Sequence, residues 1–425
     1  MMISFSEAQT KLISLCQHWL AEAEFKAEPR ALYQSLGFYL AEDFVAEVDL
    51  PYESLSAMDG YALCLEEGQL LARQGQTFIV RGEARAGQPY VGKPLKANEC
   101  LRIMTGAVVP NSTNTVVIQE NTRQKDDGYI ALLQDTAIAK NIRQQGEEIE
   151  KGQRLFVKGQ RITPSIIPVL ASQGIDQICV HRPLRVAFFA SGDELRTAGE
   201  RLNSGDLYES NLSAIAALLH NLPVECHNLG IIADNPETIE NCLRQASESY
   251  DLVISSGGVS VGDYDYVRQC VEKLGDIAHY KVAMKPGKPL CFGSLNTASG
   301  QPALFFGLPG NAVSAFIVLQ EFFMPAIRLL AGGELSANKL QLTAILENHI
   351  KKCPGRVEFQ RGILASHMSQ QGHINWTVSS LGAQDSHRVY QLAQANCILV
   401  LAQESGDLEA GNSVTVVPFP WCFNG

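Results

Sequence analysis

Between about Leu184 and Leu330, short apolar runs alternate with segments of helical period, and few folds accommodate that alternation. Leu184 to Ala190, Val224 to Ile232 and Leu252 to Ser256 read as strands. Asn211 to Leu222 reads as a helix with Leu212, Ile215, Ala216 and Leu219 inward, and Asn235-Pro236 opens another carrying Ile239, Cys242, Leu243 and Ala246. The succession predicts a doubly wound α/β domain. In such a sheet ligands bind beyond the carboxyl ends of the strands, and there the loops are rich in glycine. Ser255-Ser256-Gly257-Gly258-Val259-Ser260-Val261-Gly262-Asp263 follows the third strand, with Asp263 as cap of a helix whose inner face carries Tyr266, Val267, Cys270 and Leu274. Bare backbone N–H groups entering a helix suit a phosphate or oxyanion. Met284-Lys285-Pro286-Gly287-Lys288-Pro289 places two lysines in a proline-stiffened loop. Gly307-Leu308-Pro309-Gly310-Asn311 leads from a strand at Ala303 to Phe306 into a long apolar helix from about Ala312 to Leu330.

The flanks read differently. From Val48 to Ile149 the chain shows short strands at Thr77 to Val80, Leu101 to Met104, Thr115 to Glu120 and Tyr129 to Leu133, with Asp127-Gly128 as a hairpin turn between the last two. Helical pieces at Pro29 to Leu36 and Thr163-Pro164 to Ser172, closed by Gly37 and Gly174, predict a linker domain into which this β-rich segment is inserted. Leu340 to Leu346, Val357 to Arg361, Ile374 to Val378, Cys397 to Leu401 and Val414 to Val417 predict a small C-terminal β-barrel. The expected domains are 1–47 with 150–181 (linker), 48–149 (β-rich), 182–332 (α/β) and 333–425 (barrel), in keeping with a chain of 425 residues that exceeds one core. Ser6 and Gln9 suggest a capping box on an N-terminal helix bearing Leu12, Ile13, Cys16, Trp19 and Leu20.

A net charge of −11 argues against broad nucleic-acid binding, so an anionic ligand needs a local site. No run approaches the ~18 uninterrupted apolar residues of a membrane span. Eleven cysteines without a CxxC pair predict reduced thiols in the cytoplasm, and nine histidines without HExxH point away from zinc. Carboxylates instead follow successive strands: Glu194 in Ser191-Gly192-Asp193-Glu194-Leu195, then Asp234, then Asp265. Several acids at one rim suit a hard cation such as Mg²⁺.

Several motifs together resemble the molybdopterin molybdenumtransferase family, to which a domain of gephyrin is also related: SAMDGYA at 56–62, RIMTGA at 102–107, SGDEL at 191–195, SSGGVSVGDYDYV at 255–267, KPGKP at 285–289, GLPGN at 307–311 and GRVEFQRG at 355–362. The resemblance covers nearly the whole chain and implies insertion of molybdenum from molybdate into adenylylated molybdopterin, with cleavage of a phosphoanhydride and release of AMP. It implies Mg²⁺ on Glu194, Asp234 and Asp265, with catalytic roles for these three and for Asp59, Thr105, Lys281 and Lys285. Ser256, Gly257, Gly258 and Ser260 would cradle the pterin phosphate, while Lys288, Pro309, Arg356 and Ser386 would line the substrate site. Asp59 and Thr105 lie on the β-rich domain, which implies a homodimer with a shared site. Molybdopterin adenylyltransferase and molybdoenzyme-maturation proteins are the further partners implied. Three positions depart from the family pattern: Ala312 replaces a proline, Glu148 an aspartate, and Asp385 a glycine, which adds negative charge beside Ser386. A molybdopterin adenylyltransferase and a non-enzymatic gephyrin-like scaffold stand as alternative readings.

Overall fold

The computed structural model describes residues 2–23, 27–258, 266–298, 300–335, 340–368 and 372–422. Its centre is a seven-stranded sheet ordered Met2–Ile3, Gly275–Val282, Pro289–Leu295, Ala303–Leu308, Leu252–Ser256, Leu184–Ser191, Val224–Ile232. The strands Leu184–Ser191, Leu252–Ser256 and Ala303–Leu308 are parallel neighbours, as the strand–helix alternation requires. Pro289–Leu295 runs antiparallel to both of its neighbours, so the sheet is mixed. All five residues of Leu252–Ser256 and all six of Ala303–Leu308 are buried, which explains why neither shows the polar alternation of a strand with one solvated face.

One face packs on Pro236–Ser249 and Tyr266–Leu274 through Ile239, Leu243, Val267 and Val271. The other packs on Asn211–Leu219, on Phe5–Glu22 and on the continuous helix Ala312–Leu330. That last helix is long and apolar enough to cross a membrane, yet 78% of its apolar window is buried inside the protein, so its composition reflects a core position. It contains a π-helical segment, Val318–Phe323, whose Phe323 stacks on Phe306 while Phe322 lies tilted against Phe292.

The N-terminal residues depart from expectation. Met2–Ile3 pairs with Lys281–Val282, and Ala8, Leu12, Cys16 and Trp19 of Phe5–Glu22 enter the α/β core rather than the linker. The cap is Ser4, whose Oγ accepts from the Glu7 N–H at 3.1 Å; Ser6 sits in the first turn, and Gln9 donates to the Glu321 carbonyl instead of closing a box. Pro29 lies in a strand, Ala27–Ala31, paired with Gln177–His181, and the only helical turn there is Leu32–Gln34. A two-stranded ribbon has free edges, where a residue without an N–H breaks no ladder. The short helix before Gly174 is present as Ile166–Ser172.

The inserted sheet has six strands, ordered Thr122–Lys125, Tyr129–Leu132, Thr77–Ala84, Glu99–Ile103, Gly60–Leu63, Thr115–Ile118. Its hairpin at Asp126–Gly128 joins Tyr129–Leu132 to Thr122–Lys125, a strand that the periodicity missed because it is polar and largely exposed. Thr115–Ile118 pairs with Gly60–Leu63 instead. Two chain crossings tie this sheet to the rest of the molecule, bridged at Phe44–Val45 with Arg154–Phe156 and at Leu50 with Ile149. In the C-terminal region, Val357–Met368, Ile374–Ser380, Leu342–Leu346, Ser413–Pro418 and Cys397–Leu401 form a closed five-stranded barrel, since the last strand pairs back with the first. Met284–Lys285 joins the barrel as an extra parallel strand beside Val357-Glu358.

Candidate functional site

The carboxyl edge of the seven-stranded sheet gathers the glycine loops. Leu308 and Ser256 end adjacent strands, and the Gly257 N–H donates to the Leu308 carbonyl at 3.0 Å. Asn211, at the start of the helix Asn211–Leu219, ties the loops together, its Nδ2 donating to Ser256 Oγ at 2.8 Å and to the Gly310 carbonyl at 2.7 Å. Only glycine fits at Gly258, where φ is +69° and a Cβ would stand 2.4 Å from Val267 Cβ. Ser256, Gly257, Gly258 and Pro309 are therefore brought to one place, with Ser256 and Pro309 buried and the two glycines partly open. Ser260 and Asp265, with the cap Asp263, lie outside the described residues.

Beside these loops stands an acidic group. Ser191 ends the neighbouring strand, and after it the Asp193 Oδ1 accepts from the Asp234 N–H at 3.3 Å. Burial raises the pKa of Asp234, and the charges of Asp193 and Glu194 raise it further, so the three carboxylates share one field. Glu194 itself is exposed and curls over Gly192. Among the described residues, no three His, Cys, Asp or Glu side chains converge to hold a metal ion unaided.

The lysine loop closes the other side. Gly275–Val282 and Pro289–Leu295 form a hairpin with Lys281 opposite Pro289, and Lys281 is exposed. Gly287, at φ +99°, lies where a Cβ would meet Val318 Cγ2 at 2.2 Å, so the loop is pressed against the π-helical segment. Lys288 is exposed, and its carbonyl accepts from the Val282 N–H. Lys285 Nζ lies 3.4 Å from both carboxylate oxygens of Glu358, whose side chain is 3% exposed against 43% for the lysine. Gln360 Nε2 donates to the same carboxylate at 3.1 Å.

The barrel adds two more residues. Arg356 precedes Val357, the partner of Met284, so it stands at the junction with the lysine loop. The Ser386 carbonyl accepts from the Val313 N–H at 3.3 Å and thereby seats its loop on the start of the long helix, directly after Gly307–Asn311. The third departure from the family pattern, Asp385, forms an ion pair with Arg388, its Oδ2 at 3.1 Å from Nε.

Asp59 and Thr105 form a separate unit. The Thr105 N–H and Oγ1 both donate to Asp59 Oδ1 at 2.7 Å, and these bonds, with Arg102 nearby, lower the Asp59 pKa. Both residues are partnered within the inserted sheet, and among the described residues none of their bonds reaches the α/β edge. Asn211, Asp193 and Glu358 escaped sequence reading. Asn211 looks like a helix start, Asp193 was overshadowed by Glu194, and Glu358 sits in an apolar strand where only the alternation Val357-Glu358-Phe359 hinted at a buried charge.

Family models match three stretches: the MoeA N-terminal region (domain I and II) at residues 3–174, a probable molybdopterin binding domain at 188–329, and the MoeA C-terminal region (domain IV) at 343–419. The chain is 38% identical over 379 residues to a molybdopterin molybdenumtransferase of Haemophilus influenzae, covering 89% of this chain and 90% of that protein. It is 32% identical over 402 residues to one from a Nostoc species, covering 92% and 88%. A crystal structure of a molybdopterin biosynthesis MoeA protein from Pyrococcus horikoshii superposes with a TM-score of 0.81 at 22% identity, covering 99% of this chain and 100% of that one, and so shares its fold.

Proposed function

Because this chain belongs to the molybdopterin molybdenumtransferase family and is a transferase of molybdenum cofactor biosynthesis, we propose that its substrates are molybdate and adenylylated molybdopterin, with AMP as the released product. The observation that carries this reading is the meeting of the Gly257 and Gly310 loops under Asn211, with the Asp193–Glu194–Asp234 carboxylates on one side and, on the other, the lysine loop that leads into Pro289–Leu295, the antiparallel neighbour of Ala303–Leu308. The open backbone at Gly257 and Gly258 receives the pterin phosphate. Lys281 and Lys285 face the anhydride or the molybdate, where a fixed ammonium counts most as negative charge develops in the transition state. Arg356 and Ser386 complete the oxyanion side.

The clustered acids fit a hard cation, because their mutual repulsion is relieved by a divalent charge. Glu194 and Asp234, with Asp193 beside them and Asp265 from outside the described residues, would hold Mg²⁺. When bound, Mg²⁺ supplies positive charge at the phosphoanhydride. The protein's own share is to orient those carboxylates, the Asp193 Oδ1 by accepting the Asp234 N–H, in a field that disfavours ionised Asp234 until positive charge arrives. Incubating the chain with adenylylated molybdopterin and molybdate should release AMP, and chelation of divalent metal should stop it. An undiminished rate under chelation would remove Mg²⁺ from the scheme, and AMP release indifferent to molybdate would remove the reaction.

Asp59 and Thr105 support a homodimer in which the inserted sheet serves the partner's site, since they carry preorganised polar groups and, among the described residues, bond within their own sheet. Subunits with Asp59→Asn mixed with subunits carrying Asp265→Asn should regain activity that neither has alone; a mixture as inactive as its components would count against sharing. Molybdopterin adenylyltransferase, as supplier of the adenylylated substrate, and molybdoenzyme-maturation proteins are the proposed partners. Eleven free thiols, with burial pushing Cys16, Cys100 and Cys397 up to about 12, suit the reducing cytoplasm.

A further inference from the structure

Among the described residues, Arg361 is the largest fully buried side chain, 1% exposed, and it has no carboxylate within ion-pair distance. Its Nη2 donates to Gln391 Oε1 at 2.8 Å and, longer, to the Asp385 carbonyl at 3.4 Å; its Nε has no partner. The backbone is held as well: the Arg361 N–H donates to Gln384 Oε1, and Gln384 Nε2 donates to the Arg361 carbonyl, both at 3.0 Å. Arg361 is thus the floor beneath the loop that carries Ser386. A guanidinium stripped of water and left without a counter-ion is costly unless negative charge stands near it. The charge that offsets it is the Asp385 carboxylate, while Arg388 adds to the positive side. Among the described residues the Asp385 carboxylate pairs with Arg388, and the residue is exposed, so it balances two guanidiniums at the rim of the loop seated on Val313.

We propose that Asp385 is a built-in competitor for the oxyanion at the Ser386 loop, occupying the positive field of Arg361 and Arg388 and so setting how tightly this enzyme holds molybdate. The inference rests on the proposed reading that Arg356 and Ser386 complete the oxyanion side of the cleft, and takes that oxyanion to be molybdate. Arg361 fixes the loop and supplies permanent positive charge from below, Arg388 draws the Asp385 carboxylate aside, and the entering dianion meets a field that Asp385 has reduced by one unit. Removing one charge next to a dianion at a part-exposed site alters its affinity by about tenfold.

The mutual test uses two substitutions that break the same ion pair. Asp385→Asn should lower the molybdate concentration for half-maximal AMP release by about tenfold, since the competitor is gone. Arg388→Gln should raise it by several fold, because Asp385 is then free to face the cleft and a positive charge is lost. If Asp385 and Arg388 merely staple the loop, both substitutions raise it together, and that result, or no change in either, overturns the proposal. Titrating sodium molybdate into the three full-length proteins by calorimetry reads the same order of affinities without turnover. A parent enzyme that binds molybdate in that order but releases no AMP would overturn the assigned reaction and leave the charge competition standing.

Discussion

Replacing Lys285 with alanine removes an ammonium from the cleft and also strands a buried carboxylate. Glu358 is 3% exposed and, among the described residues, would keep the Gln360 amide at 3.1 Å as its remaining side-chain partner. Losing one partner of a buried pair costs about 3–5 kcal/mol. The lysine is 43% exposed, so water enters the gap it leaves, and a discounted figure of about 2 kcal/mol is appropriate. For a unit of about 150–250 residues this lowers the thermal midpoint by about 4–8 °C. AMP release should fall by about 10²-fold or more, the order seen when one preorganised donor is lost. The two losses separate in the double variant Lys285→Ala with Glu358→Gln, where the amide no longer needs a counter-charge. Scanning calorimetry should show most of the midpoint restored, while single-turnover AMP release stays as slow as in Lys285→Ala. Recovery of the rate in the double variant would refute a direct role for the ammonium. An unchanged midpoint in Lys285→Ala would refute the claim that it compensates Glu358.

At the opposite edge of the sheet, Asp251 is buried and accepts from Arg182 Nη1 and Nη2, from Arg185 Nη2 and from the Arg185 N–H. Burial alone would raise its pKa, but these donors outweigh it and hold the group below the ordinary carboxylate value. The unfolded chain then binds the proton first as pH falls, so the stabilisation is whole above the unfolded value of about 3.9 and is lost as pH drops through the folded pKa; Asp251→Asn should lower the urea midpoint at pH 7 and flatten its decline in acid. Gly258→Ala forces a side chain into the left-handed region and onto Val267, which should cost about 2–4 kcal/mol; adding Val267→Ala should recover part of the urea midpoint. Asn211→Ala unties Ser256 from Gly310 and should weaken binding of adenylylated molybdopterin by about tenfold or more, as calorimetric titration would read, since buried Ser256 and the Gly310 carbonyl lose the donor that joins them.

The α/β sheet was legible because its central strands, Leu184–Ser191, Leu252–Ser256 and Ala303–Leu308, are short, largely apolar and buried, and each leads into a glycine loop. Val224–Ile232 and Leu252–Ser256 stand where the pattern placed them, and Asn235 caps its helix by accepting the Thr238 N–H. The gathering of Gly257, Pro309 and Lys285 followed from topology, since loops after neighbouring strands share an edge. Side chains that act between elements left no local trace. Asn211 binds groups 45 and 99 residues away, and Glu358 meets a lysine 73 residues earlier. Pro29 misled because proline begins helices and equally occupies free strand edges, and the neighbours that decide between them are Gln177–His181. Thr122–Lys125 showed no alternation because both of its faces see solvent.

The placement of Phe5–Glu22 inside the α/β core bears on how the protein is made. Trp19 Nε1 donates to the Pro302 carbonyl across 283 residues, and Gln9 to the Glu321 carbonyl across 312. A ribosome adding about 5–20 residues per second finishes this helix many seconds before its binding surface exists. In that interval Leu12, Cys16 and Trp19 have nothing to cover them, while the inserted sheet, whose contacts lie within its own segment, is free to fold. The nascent chain therefore carries an uncovered apolar helix ahead of a finished module, a substrate for chaperones that bind exposed apolar segments, until the long helix Ala312–Leu330 emerges and closes over it.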